Sequence, residues 1–177
     1  MPDPSHPANE RVRAAAAQRG VTIEIVAFDE STHTAQEAAD AIGVELGQIV
    51  KSLVFMSPVD PARPDDGDEP LVALVRGTDR VDISALASAS GRTRLRRASA
   101  REAKEATGYA IGGVPPFGHQ RPIRVVMDPA LDGYEVVWAA AGTPTTVFAI
   151  APASLARLAD AVVAPCAEDP ARVAGPE

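Results

Sequence analysis

QIVKSLVFMSPVDPARPDDGDEPLVALVR, residues 48–76, sets two apolar runs on either side of a polar interval. The first run, 48–56, is rich in β-branched residues and apolar at both odd and even positions. It predicts a strand that is mostly buried on both faces. LVALVR (71–76) predicts a second strand. SPVDPARPDDGDEP (57–70) holds four prolines and four aspartates, which stop regular structure. It predicts a hairpin-like excursion or mobile loop, not a domain boundary.

Working outward, Pro7 suits the first turn of a helix running to Arg19, with AAAA supplying propensity and Gly20 past its end. VTIEIVAF (21–28) alternates like a strand. Thr34 with Glu37, and Ser99 with Glu102, form capping-box patterns that open helices ending near Gly43 and Gly108. VDISALASASG predicts a short helix closed by Gly91, and TRLRR a short strand. Strands are expected near 123–128, 134–140 and 146–150, then a helix over 152–160 and a strand over 161–164. Several strand pairs have no helix between them. The pattern therefore predicts an α+β fold with a mixed, curled, barrel-like β-sheet and surrounding helices, not a doubly wound parallel sheet. One domain over 8–165 is expected, flanked by a flexible N-terminal tail at 1–7 and a C-terminal tail at 166–177.

The composition sets bounds. The chain has 177 residues, 46% hydrophobic and 23% charged, ordinary values for a globular domain. The single Cys166 cannot form an internal disulfide. MPDPSHPANE has neither a basic start nor an apolar stretch, and no run approaches the ~20 apolar residues of a membrane span. A cytoplasmic location is the expectation. A net charge of −7 argues against broad, nonspecific nucleic-acid binding. RTRLRRASAREAK (92–104) still concentrates positive charge, and Arg94, Arg96 and Arg97 are candidates to meet phosphates. A solvated face is the other reading of that run.

Two features point to a site. Lys51 is one of two lysines beside fifteen arginines, and it stands in an apolar strand. A buried ammonium needs an anionic or polar partner, and lysine offers a compact cation where arginine offers a broad fork. An edge-strand lysine reaching water is the alternative. YAIGGVPPFGH (109–119) supplies the second feature. Its glycines admit close backbone approach to a ligand and its prolines fix the chain in advance. Gly112, Gly113, Val114, Pro115 and Pro116 thus predict a rigid wall that limits a cavity's size.

QIVKSLVF, LVALVRGTDRVDISALA, ATGYAIGGVPPFGH and VWAAAGTP together resemble the YbaK/ProX (EbsC) family of aminoacyl-tRNA editing domains over roughly residues 20–165. The resemblance implies a YbaK-like fold and hydrolysis of the ester of mischarged tRNA, commonly Cys- or Ala-tRNA for proline. It implies Lys51 as the catalytic cation near the scissile ester and Gly112 to Pro116 as the family's Gly-x-x-x-Pro loop. It also implies Gly142 as a cavity-lining glycine, with Thr32 and Thr34 facing the cavity from the other side. Thr34 has a competing role as helix cap. No metal or cofactor is implied. The implied partners are mischarged tRNA and an aminoacyl-tRNA synthetase such as the prolyl enzyme. An aminoacyl ester needs only a positioned water and oxyanion stabilisation; by resemblance, the ribose hydroxyl or a cysteinyl thiol of the substrate assists. The chain departs from the family where some members carry an aspartate, here Val147. A non-catalytic module binding an amino acid or tRNA in the same cavity is the alternative function. His119 and His33 are ambiguous between structural and acid–base roles. Ser52, next to Lys51, is expected on the opposite face of the strand.

Overall fold

The structure, a computed structural model, describes residues 5–29 and 34–169. Its organising element is an antiparallel hairpin of two nine-residue strands, β2 (Val50–Pro58) and β3 (Asp68–Arg76), in register from Val50↔Arg76 to Pro58↔Asp68. The interval between them is thus a hairpin connection, with a 3-10 turn at Pro64–Asp66. To this pair are added β4 (Arg96–Arg97), antiparallel to β2, then β5 (Arg124–Met127) and β8 (Val162–Val163), both parallel additions, in the order β4-β2-β3-β5-β8. A second, antiparallel sheet has the order β1-β7-β6, from β1 (Ile25–Ala27), β6 (Val137–Ala140) and β7 (Thr146–Ile150).

The mixed α+β expectation holds, but the sheet does not curl into a barrel. Among the described residues there are two open sheets, joined by a parallel bridge between Ile49 and Trp138. Closure needs a continuous hydrogen-bonded rim, and β4, only two residues long, cannot supply it. The strand expected over 21–28 is also shorter, with ladder residues only from Ile25 to Ala27.

The helices follow their local signals. α1 (Pro7–Gln18) starts with proline in its first turn. α2 (Ala35–Ile42) and α4 (Ala100–Thr107) open with complete capping boxes from Thr34/Glu37 and Ser99/Glu102, and end at left-handed Gly43 and Gly108. α3 (Ile83–Ser90) is capped by Asp82 and closed by left-handed Gly91; α5 (Pro152–Leu158) again begins with proline. Among the described residues, no helix is long and apolar enough to cross a membrane.

Alternation along the hairpin divides the core. Val50, Val54, Val72 and Leu74 pack with Val12, Phe148 and Ile150. Phe55, Leu71, Ala73 and Val75 face Leu86 of α3 and Cys166 on the other side. The chain stays attached past residue 165. Cys166 is fully buried, Ala167 bridges Val81, and the Asp128 carboxylate accepts from the N–H groups of both Cys166 and Ala167 at 2.9 Å.

α1 is seated on the second sheet by Asn9, fully buried, whose Nδ2 donates to the Ala141 carbonyl (2.8 Å) and Thr146 Oγ1 (2.7 Å). Gly142 makes this approach possible. Its φ is +108°, and a Cβ there would stand 2.8 Å from the Ala8 carbonyl oxygen. Gly142→Ala therefore meets both a disfavoured dihedral and a backbone clash, and is expected to lower stability by about 2 kcal/mol or more. Gly133→Ala, where a Cβ meets nothing within 4 Å, is expected to be near neutral; urea denaturation of the two variants tests the difference.

Candidate functional site

β2 is paired along one edge over all nine residues, but β4 covers its other edge only at Phe55 and Met56. At the opposite end, Ile49, just before β2, bridges Trp138 of β6. Between the Ile49–Trp138 bridge and the Ala98 N–H that donates to the Val54 carbonyl, the strand edge around Ser52 lies open, and a cavity of about 270 Å³ occupies the gap, lined by residues 49–54 themselves. Ala38 of α2, Ala103 of α4, Trp138 and Ala140 of β6, and Val147 of β7 supply mainly apolar walls. The cavity exists because two strands that could have continued the sheet stop short.

The glycine–proline segment forms another wall, and its residues divide into two groups. Gly112 and Val114 line the cavity, as does Ile111; Gly113, Pro115 and Pro116 do not, and all three are buried. Gly113 is pressed against the β6–β7 turn, where a Cβ would fall 2.7 Å from the backbone of Thr143. Gly112, at φ +88°, lies beside Pro144. The segment is braced from beneath. Buried Tyr109 donates its hydroxyl to the Gly118 carbonyl (2.7 Å), and the Arg11 guanidinium lies 4.7 Å from the centre of the Tyr109 ring. His119 Nε2 lies 2.7 Å from the Pro115 carbonyl oxygen, and burial pushes its imidazole below the usual histidine value. His119 is not among the cavity-lining residues; it braces the loop.

Lys51 borders the cavity, but its side chain shares a face of β2 with Leu53 and Phe55, the face turned away from Val114. Nζ donates to the Asp79 main-chain carbonyl. The Asp79 carboxylate is held by Arg76, with Nε and Nη2 at 2.7 and 3.0 Å. Burial draws the Lys51 ammonium below the usual lysine range; Asp79 opposes this, while Arg80 and Arg97 reinforce it. Ser52 lies on the other face, as expected, yet this face also borders the cavity.

Of the remaining expected residues, Thr34 lines the cavity and also accepts the capping hydrogen bond from Glu37 (3.1 Å). Gly142 packs on α1 and does not line the cavity. Thr32 and His33 lie outside the described residues. The basic run separates by its partners. Arg96 is clasped by Glu102 (2.7 Å) and Asp68 (2.7 Å), Arg101 pairs with Glu105 (2.8 Å), and Arg92 pairs with Glu69. Glu102 is held down to about 2 by Arg96 and the Ser99 backbone. Arg97 has no carboxylate partner among the described residues. Its guanidinium lies 5.5 Å from the centre of the Phe55 ring, and it lines the cavity mouth with Lys51. Arg94 is exposed with φ +52°. The apolar lining residues Ala38 and Trp138 were not predicted: neither carries a chemical signal, and only tertiary packing brings them to the strand edge.

A small α+β domain with a ligand-sized cavity against an open strand edge, bordered by a lysine and a rigid glycine–proline wall, has known counterparts. Residues 29–158 match the family model described as "Aminoacyl-tRNA editing domain". The match covers well over half of the sequence, and the chain belongs to that family. A solved structure described as a "putative trans-editing enzyme for prolyl tRNA synthetase" superposes with a TM-score of 0.81 at 42% identity, covering 92% of this chain and 98% of that one. "Multifunctional Ser/Thr-tRNA deacylase ProXp-y" of Escherichia coli (strain K12) is 28% identical over 70% of each chain. "Putative Cys-tRNA(Pro)/Cys-tRNA(Cys) deacylase EbsC" of Enterococcus faecalis is 26% identical over 75% of this chain and 76% of that one.

The lowered pKa of His119 carries a consequence for stability. Its folded-state value lies below the unfolded one, so the unfolded chain binds the proton more readily, and stability falls as pH drops from about 6.5 toward the lowered value. His119→Asn is expected to remove that component from the pH dependence of Tm while leaving the carboxylate component at lower pH, as measured by thermal melts across pH 4–8.

Proposed function

We propose that the protein is a trans-editing aminoacyl-tRNA deacylase that clears a small wrong amino acid, cysteine or alanine, from tRNA for proline. The observation that carries this reading is the cavity at the open edge of β2, bordered by Lys51, Arg97, Gly112 and Val114. Family membership, and the named activities of the relatives, support the reaction class. Ala38, Ala103, Ala140 and Val147 leave an apolar space of modest volume, which favours a short side chain. Val147 brings no charge to the position where some members carry an aspartate.

In the reaction, water adds to the ester carbonyl carbon. The bond from that carbon to the ribose oxygen breaks, the ribose oxygen takes a proton, and the amino acid departs as its carboxylate. The developing charge on the carbonyl oxygen sets the barrier, and preorganised donors lower it. Lys51, tethered to the Asp79 carbonyl, supplies a fixed positive charge beside the cavity. Phosphate of the tRNA 3′ end meets Arg97, with Arg94 further along the run. Arg96, already compensated by Asp68 and Glu102, contributes little. Recruitment to the prolyl synthetase would place the protein where such errors arise.

A panel of Cys-, Ala- and Ser-tRNA for proline, followed by loss of the ester over time, tests the reading. Turnover of at least one is expected, and Lys51→Ala is expected to lower it by roughly 100-fold. Turnover indifferent to that substitution removes Lys51 from the mechanism; tight binding with no ester loss on any substrate replaces the enzyme with a binding module. The pH profile gives a separate check. The protonated ammonium is the working form and its pKa is depressed. After subtraction of spontaneous hydrolysis, activity is therefore expected to fall as pH rises through a value below 10.5, and Lys51→Arg to move that limb upward.

For tRNA binding, Arg97→Gln is expected to weaken affinity and to lower the slope of log K against log salt by about one. Arg96→Gln should leave the slope unchanged; filter binding across salt concentrations separates the two.

A further inference from the structure

Among the described residues, three hydroxyls border the cavity, and two are engaged. Thr34 Oγ1 accepts from the Glu37 N–H. Thr146 Oγ1 accepts from Asn9 Nδ2 and lies 2.7 Å from Thr143 Oγ1. Ser52 Oγ differs: it is buried and, among the described residues, has no hydrogen-bond partner. A buried hydroxyl left unpaired costs about 1–3 kcal/mol, and such groups in folded proteins call for a specific explanation.

The main chain of Ser52 points the same way. The Ile49 carbonyl accepts from the Gly77 N–H (2.7 Å), so residue 49 turns its polar groups toward β3. The Val54 carbonyl accepts from the Ala98 N–H (3.0 Å), on the β4 side. In an antiparallel strand these directions alternate residue by residue, so Ser52, like Val54, turns N–H and C=O away from β3. At Ser52, unlike Val54, no strand among the described residues is paired with that edge. One residue thus offers the cavity a main-chain N–H and a side-chain O–H, on a strand locked along its other edge by β3.

We infer that Ser52 is a catalytic residue of this site, its N–H and Oγ–H together receiving the carbonyl oxygen of the scissile ester as it gains negative charge. The inference rests on the deacylase reading. It divides the chemistry between the two faces of β2: Ser52 serves the acyl carbon from within the cavity, and Lys51, on the opposite face, provides charge at the mouth. Water's oxygen bonds to the carbonyl carbon, the π pair moves onto the oxygen held by Ser52, and its return expels the ribose oxygen, which takes a proton released by the water. Ser52 neither gives up its proton nor forms a covalent bond. An unpaired donor suits this task because it needs no rearrangement when the charge appears.

The test is Ser52→Ala and Ser52→Thr on whichever mischarged tRNA the wild-type protein turns over fastest, with kcat, KM and Tm measured for each. Ser52→Ala removes one of the two donors and is expected to lower kcat roughly 10- to 100-fold with KM nearly unchanged. Because it also deletes an unsatisfied buried hydroxyl, its Tm is expected to match or exceed that of the wild type. Ser52→Thr, which keeps the hydroxyl, is expected to recover most of kcat. An unchanged kcat, a rise in KM alone, or a loss of activity that tracks a fall in Tm overturns the assignment while leaving the deacylase reading intact. No turnover by the wild-type protein removes both.

Discussion

The rest of this structure depends on an asymmetry of hydrogen bonding. β2 is fully paired along one edge and largely unpaired along the other. The paired edge fixes the strand's register, because a slip of one residue would exchange Val50, Ser52 and Val54 with Lys51, Leu53 and Phe55 across the sheet and ruin both core clusters. The unpaired edge leaves main-chain groups facing a cavity. Exposed strand edges usually invite association with other chains. Here α2, the glycine–proline segment and the second sheet surround the edge, so only something small can reach it.

The glycine–proline segment shows why small and rigid residues cluster at such a place. Gly113 has no side chain because the β6–β7 turn lies where one would go, and Pro115 and Pro116 stiffen the buried portion instead of touching the cavity. Tyr109, Arg11 and His119 fasten it from behind. A wall made largely of backbone, held on several sides, can set the size of a cavity without adding bulk to it.

Electrostatics are arranged economically. A run of arginines that resembles a broad basic surface is mostly neutralised by Asp68, Glu69, Glu102 and Glu105, and these partners fix β4 and the start of α4. Arg97, stacked over Phe55 beside Lys51, lacks such a partner among the described residues. This leaves local positive charge at the cavity mouth of a chain whose net charge is −7.

The sequence by itself determined the elements whose causes are local. Capping boxes at Thr34 and Ser99, prolines in first turns, left-handed glycines at helix ends and the broken apolar runs of the hairpin each act within a few residues, and each is found where the pattern puts it. It also marked Lys51 and the 112–116 segment as unusual. Tertiary structure decided what depends on distant partners. It ended β1 and β4 early and left the sheets open, and it turned the Lys51 side chain toward Asp79 and away from Val114. It paired Arg96 with Asp68 from twenty-eight positions earlier, and set Ser52, an ordinary strand serine in the sequence, unpartnered against the cavity. The physical reason is one of range: dihedral preferences and caps are fixed by near neighbours, whereas edge pairing, burial of a hydroxyl and compensation of a charge are settled only when segments far apart in the chain are packed together.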